Sequence, residues 1–248
     1  MVAINPLAIF KTLVLVTLLG FLSLVGLSLL PALPSQAAVI VLDPGHGGND
    51  SGAGRGSAFA EKQFTLALAQ KIATLLEPRH RVELTRTADV QMEPADRAAV
   101  ANHLRADLML SLHTAVAPYC SDRTAAVYYH NDERLKIPFA TSSQGIPAES
   151  DADRPEWNRL QIRHQHQSQN LAVTLKRSLG DSDTFDSVTV SGVPLAPLMG
   201  ADLPAVLLEV GCMHPAAATN RQTLEQQLDG YAASLVNAIE TALPGLAP

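Results

Sequence analysis

Short β-branched or leucine-rich runs alternate along this chain with stretches whose apolar residues recur every three or four positions. Val39-Ile-Val-Leu42 is closed by Asp43-Pro-Gly45, a pattern that predicts a buried strand ending in a turn. Gly45 to Ser57 is rich in Gly, Asn, Asp and Ser and reads as a loop. From Glu61 the period changes. Phe64, Leu68, Ile72 and Leu75 repeat at helical spacing, and Pro78 follows the end. Val82 to Arg86 reads as a second strand, and Pro94 to Arg105 as a short helix with proline in its first turn. Asp107 to Leu112 is a third buried strand, with His113 the first residue past it. Ala125–Tyr129 suggests another strand, Trp157–Leu179 a long helix, Ser187–Val190 a weak strand, Ala205–Val210 a strong one and Thr219–Leu243 a closing helix. No internal repeat interrupts this order. Such alternation implies an α/β fold: a single, mostly parallel or mixed sheet with helices on both faces.

Two segments stand outside that rhythm. Lys11 is the only charge in the first 37 residues, and Thr12 to Leu30 contains no ionisable group. Pro31, Pro34 and then Ser35-Gln36-Ala37 fit a signal peptide cut after Ala37 or Ala38. The same stretch is long enough to cross a bilayer of roughly 30 Å, so an uncleaved membrane anchor through residues 12–30 is the alternative. Either way, residues 38–248 form one exported domain, in the periplasm or cell envelope. The second segment, Asn131 to Glu156, mixes Pro, Ser and acidic residues and reads as a surface insertion, a rim or lid.

Charge narrows the partners. The formal charge is −6, and removing a leader whose only charge is Lys11 makes it one unit more negative. With no basic patch the chain does not look like a nucleic-acid binder. Aromatic residues are 4% of the sequence, too few for a platform that stacks bases. Two cysteines are present, Cys120 shortly after His113 and Cys212 shortly after Glu209. An exported compartment permits a disulfide between them; two separate, partly buried thiols fit the sequence as well.

The candidate chemistry lies at the ends of these elements, where open α/β folds bind ligands. His46 sits between Pro44-Gly45 and Gly47-Gly48, where the backbone can turn sharply. Alone it reads as a solvated turn residue. Glu61 opens a helix, where an acid is favoured by the helix dipole in any case. His113 closes an apolar strand and could equally be a hydrogen-bonded core histidine. Glu209 follows Val206-Leu-Leu208, where a carboxylate is costly unless a cation or donor compensates it. Arg86 and Arg97 are candidate ion-pair partners, or loop fasteners. Two imidazoles and a carboxylate make a zinc set with one open position, and a further acid can take a proton from water there.

These residues fall within motifs that resemble a known family. Asp43-Pro-Gly-His-Gly-Gly48, Ala60-Glu-Lys62, Leu84-Thr-Arg86, Ala106-Asp107 with Ser111-Leu-His113, and Pro204-Ala-Val-Leu-Leu-Glu209 look like the zinc-dependent N-acetylmuramoyl-L-alanine amidases with a type-3 catalytic domain. The resemblance runs in order from Val39 to the final helix. It implies one zinc ion held by His46, Glu61 and His113, with Glu209 as catalytic acid/base. It also implies peptidoglycan as substrate, cut between the lactyl group of N-acetylmuramic acid and L-alanine. No motif identifies an activator or regulator.

Three departures from the family pattern bear on that expectation. Thr114-Ala115 replaces the Ala-Asn that usually follows the second histidine. Met199 stands where a basic residue commonly precedes the last strand. Cys212-Met-His-Pro215 replaces a Phe-x-Ser-Asn pattern. They leave two other readings open: a zinc-stabilised peptidoglycan-binding or regulatory module without turnover, and another exported zinc peptidase. His164 and His166 face different sides of a predicted helix and read as surface, while His214 reads as a loop residue near Glu209. Gly52-Ala-Gly-Arg-Gly56 lacks the spacing of a nucleotide loop.

Overall fold

A computed structural model describes residues 37–53, 60–116, 120–131, 157–213 and 221–246. The leader up to residue 36, positions 132–156 of the expected insertion, and His214 lie outside the described residues. Among the described residues, no helix is long and apolar enough to cross a membrane.

Six strands form one sheet: β1 (Val39–Pro44), β2 (Arg81–Leu84), β3 (Leu108–Val116), β4 (Thr124–His130), β5 (Ser187–Val193) and β6 (Ala205–Met213). Their spatial order is β2-β1-β3-β6-β4-β5. The first four in that order are mutually parallel, β4 runs antiparallel to β6, and β5 is parallel to β4. The sheet is therefore mixed, with its parallel part at the chemistry. The helices are α1 (Glu61–Leu76), α2 (Pro94–Leu104), α3 (Gln165–Gly180) and α4 (Arg221–Ala242).

Side chains alternate across a strand, and here both faces are covered. Ile40, Leu42, Leu108, Leu110, Leu112, Val206 and Leu208 pack with Leu68 and Ile72 of α1, Leu171 and Leu175 of α3, and Leu235 of α4. Val41, Met109, Ala205 and Leu207 point to the other face, against Ala101 of α2 and Leu198. Leu108, Met109, Leu110 and Leu112 are all completely buried, each worth about 1.5–3 kcal/mol relative to exposure. This explains why the central strands read as continuous apolar runs.

The topology also makes the crevice. From β1 the chain passes through α1 to β2 on one side; through α2 it then returns to β3 on the other. Helices α1 and α2 cover opposite faces, so the carboxyl ends of β1 and β3 are left with an opening between them.

Several sequence expectations change. His113 lies within β3, not past its end, because ladder pairing continues through Val116; Glu209 lies within β6, inside the predicted run Ala205–Val210. The pairing shifts register after His113, where Ala115 meets Cys212. The predicted helix from Trp157 begins as a 3-10 segment, Trp157–His164, before α3. There the Gln161 N–H donates to the Met199 carbonyl, and its side-chain amide donates to the carbonyls of Ala201 and Leu203. These bonds pin the segment to the loop before β6. Leu76, not Leu75, completes the buried stripe of α1; Leu75 is exposed.

Candidate active site

His46, Glu61 and His113 meet at the crevice, brought there by the β1–α1 turn, the first residue of α1 and strand β3. Their ligating atoms lie within 4.8 Å of one another, so one ion could touch all three. His46 Nε2 is 3.2 Å from Glu61 Oε2, and His113 Nδ1 is 3.0 Å from Glu61 Oε1. The two imidazoles stand edge to face, with centroids 4.9 Å apart.

Local geometry explains why glycine surrounds this site. A Cβ on Gly45 would stand 2.4 Å from the His113 ring, so only a glycine lets that ring cross the turn. Gly52, at φ +62°, lies as closely against Glu61 and the His46 ring. His46 itself has φ 62°, a left-handed conformation that costs a non-glycine residue roughly 1–2 kcal/mol. Neighbouring bonds hold it there. Arg97 donates to the carbonyls of Pro44 and His46, and Arg86 to those of Pro44, Gly45 and Lys62.

Thus the two arginines fasten the loop that carries His46. Arg97 also pairs with Asp43 at 2.8 Å, with both side chains buried. The Asp43 carboxylate accepts further bonds from Thr85 and Ser111, tying β1, β3 and α2 together below the site. Sequence reading placed these arginines only as far as two alternatives; the structure selects the loop-fastening one.

Glu61 is 4% exposed. Burial would raise its pKa, but bonds with His113 and His46 and the Ala53 N–H outweigh it and hold the carboxyl far below its ordinary range. The Thr114 N–H adds a further donor to Oε1. Burial disfavours a charged His46, yet the hydrogen bond and charge of Glu61, reinforced by Asp50, raise its pKa above the usual imidazole value. Asp50 Oδ2 lies 2.8 Å from His46 Nδ1, which orients the ring with Nε2 toward the cluster.

Glu209 is not part of this triad of ligating groups. It is half-buried on β6, paired in register with His113 on β3, and accepts a 3.2 Å bond from the Tyr128 hydroxyl. Below the cluster a pocket opens between the histidines and the start of α2, walled by Met92, Glu93, Pro94 and Pro197. A disulfide joins Cys120 to Cys212 just beyond the His113–Glu209 pair, with Cα atoms 5.4 Å apart.

Comparison with known sequences decides the family. The N-acetylmuramoyl-L-alanine amidase pattern matches residues 40–241, from the second residue of β1 to the last turn of α4. The chain belongs to that amidase family. It is 28% identical over 184 residues to the N-acetylmuramoyl-L-alanine amidase AmiC of Neisseria meningitidis serogroup B, covering 69% of this chain and 44% of that protein. An endolysin of Bacillus phage SPP1 is 42% identical over 85 residues, 34% of this chain and 31% of the endolysin. The chain thus spans less than half the length of these relatives. An N-acetylmuramoyl-L-alanine amidase from Clostridium difficile 630 shares the fold, with TM-score 0.59 at 24% identity over 85% of this chain and 98% of that one.

Against this amidase family background, the sequence missed Asp50, Asp43 and Tyr128. Asp50 lay in a loop whose composition signalled only turns, and Tyr128 in a strand where a tyrosine reads as packing. Asp43 was noted only as part of a turn signal and a motif. His164, by contrast, stays at the surface, bonded to Asp202 and Gln167.

Proposed function

We propose that this chain hydrolyses, with zinc, the amide between the lactyl group of N-acetylmuramic acid and the L-alanine of peptidoglycan stem peptides. The observation that carries the proposal is the meeting of His46, Glu61 and His113 with Glu209 alongside. The donor set fits zinc: His46, Glu61 and His113 would hold the ion with two imidazole nitrogens and a carboxylate, a combination that three-ligand catalytic zinc sites use. The two histidines face different oxygens of Glu61, at 3.2 and 3.0 Å, and one ligating atom from each of the three residues lies within 4.8 Å of the others, close enough for a single ion. Asp50 supplies the carboxylate that such a histidine ligand commonly needs on its other nitrogen.

The chemistry that bound zinc supplies is Lewis acidity toward a carbonyl and a lowered pKa for water, toward ~7. The protein residues do the rest. His46, Glu61 and His113 hold their orientation through the bonds described above, so little reorganisation is needed. Glu209 accepts a proton from the attacking water as oxygen adds to the lactyl carbonyl carbon. It then delivers that proton to the alanine nitrogen as the C–N bond breaks, leaving a lactyl carboxylic acid and a free stem peptide. The pocket beside Met92, Glu93 and Pro197 is where substrate next to the reacting amide would lie.

The apolar leader supports export to the cell envelope, by cleavage after Ala37 or Ala38 or as an anchor through residues 12–30. In that setting peptidoglycan is the substrate at hand. Glu209→Gln provides the test. We expect bound zinc to remain near one per chain while release of stem peptides falls by on the order of 10²–10⁴-fold. Retained cleavage, or loss of the metal, would overturn the role assigned to Glu209.

A further inference from the structure

Glu209 has neighbours on both sides in the sheet. On β3 its register partner is His113. On β4, which runs antiparallel, the residue directly opposite is Ala126, and Tyr128 pairs with Leu207. Paired residues share a face, so Ala126 and Tyr128 stand on the same face as Glu209. Tyr128 is the diagonal neighbour, within reach of a long side chain. Ala126 is small and leaves room for the carboxylate to lie toward β4. The result is the 3.2 Å bond from the Tyr128 hydroxyl to Glu209 Oε2.

We propose that Tyr128 is a positioning residue that sets the direction of the Glu209 carboxylate beside the metal cluster. This rests on the reading of Glu209 as the acid/base. A glutamate has three rotatable side-chain bonds, and a proton shuttle must face first the water and then the leaving nitrogen. One oxygen held by a phenol leaves the other free for that work. The phenol packs beside the apolar cluster that contains Leu207, so its own position is fixed by the core. Burial raises the Tyr128 pKa, as do the charge of Glu209 and the bond to it. The hydroxyl therefore stays protonated and remains a donor.

Tyr128→Phe in the full chain keeps the ring and removes only the donor. With soluble peptidoglycan fragments as substrate, kcat should fall about tenfold, with KM and bound zinc little changed. Thermal unfolding should also stay close to that of the parent, because the packing is intact. The decisive readout is the double variant. In a Glu209→Ala background, Tyr128→Phe should cause no further loss, because its effect passes through the missing carboxylate. An equal further loss in that background, a change confined to KM, or unchanged kcat would overturn the proposal. If Glu209→Ala itself retains full activity, the underlying reading fails instead, and the two failures are distinguishable.

Discussion

His113 on β3 and Glu209 on β6 are direct partners in a parallel ladder, so their side chains leave the sheet together on one face. The neighbouring pair in that ladder is Leu112 with Leu208, both fully buried on the opposite face. A buried apolar row thus ends at a row of one imidazole and one carboxylate. The β1–α1 turn brings His46 and Glu61 over that row, and a register shift follows before pairing resumes at Ala115 and Cys212. Strand register, set by the core, fixes the spacing between the proposed ligand and the proposed acid/base.

Gly45 tests how tightly that spacing depends on the turn. Its missing side chain leaves the room that the His113 ring occupies. Gly45→Ala should displace the ring and weaken zinc binding on the order of 10–100-fold, with the fold retained. Competition with a chelator of known affinity measures this. Unchanged affinity would mean that the ring has another place to go.

Arg97 tests the support beneath the loop. Replacing it by Met leaves the buried Asp43 without its cation and removes donors from the Pro44 and His46 carbonyls. Unfolding free energy should fall by about 3 kcal/mol or more. Asp43→Asn combined with Arg97→Met should recover part of the loss, since no uncompensated charge remains. A drop below about 1 kcal/mol would show that the pair matters little.

The Cys120–Cys212 bridge closes a long loop, with its cysteines 92 positions apart. Replacing both by Ala should lower stability by about 2–4 kcal/mol, measured by denaturant unfolding under oxidising conditions. The same variant kept reduced should show no further change. Stability equal to the parent would place the bridge outside the folding equilibrium.

Asp89 gives a pH signature. The bond from Lys62, with one from the Gly48 N–H, holds its carboxyl below the ordinary range. A depressed folded pKa means stability present above the unfolded value and lost as pH falls through the folded one. The difference in unfolding midpoint between parent and Asp89→Asn should therefore be constant near neutral pH and shrink below about pH 4. A difference that persists undiminished in acid would contradict the assignment.

Much of this was legible in the sequence for physical reasons. Val39–Leu42 and Leu108–Leu112 are covered on both faces, so burial alone wrote them as continuous apolar runs. The stripe of Phe64, Leu68 and Ile72 marked α1 because one face of it meets the sheet. His46, Glu61, His113 and Glu209 were legible as an ordered set within motifs that resemble the amidase family; each alone had an ordinary structural reading. Strand ends were less visible, since backbone pairing carries β3 past the polar His113 and Thr114 to Val116, and β6 past Val210 to Met213. Sheet order, the Asp43–Arg97 pair and the Tyr128–Glu209 bond join residues far apart in the chain. Nothing in their local composition announces them.

The measurement closest to the central claim is a digestion of peptidoglycan in ¹⁸O-labelled water, with zinc removed and then restored, read by mass spectrometry. The account predicts zinc-dependent release of unlabelled stem peptides that begin with a free L-alanine amine. The label should appear in the lactyl carboxylate of muramic acid on the glycan strand. Cleavage between amino acids, or intact peptidoglycan from folded protein with zinc bound, would contradict it.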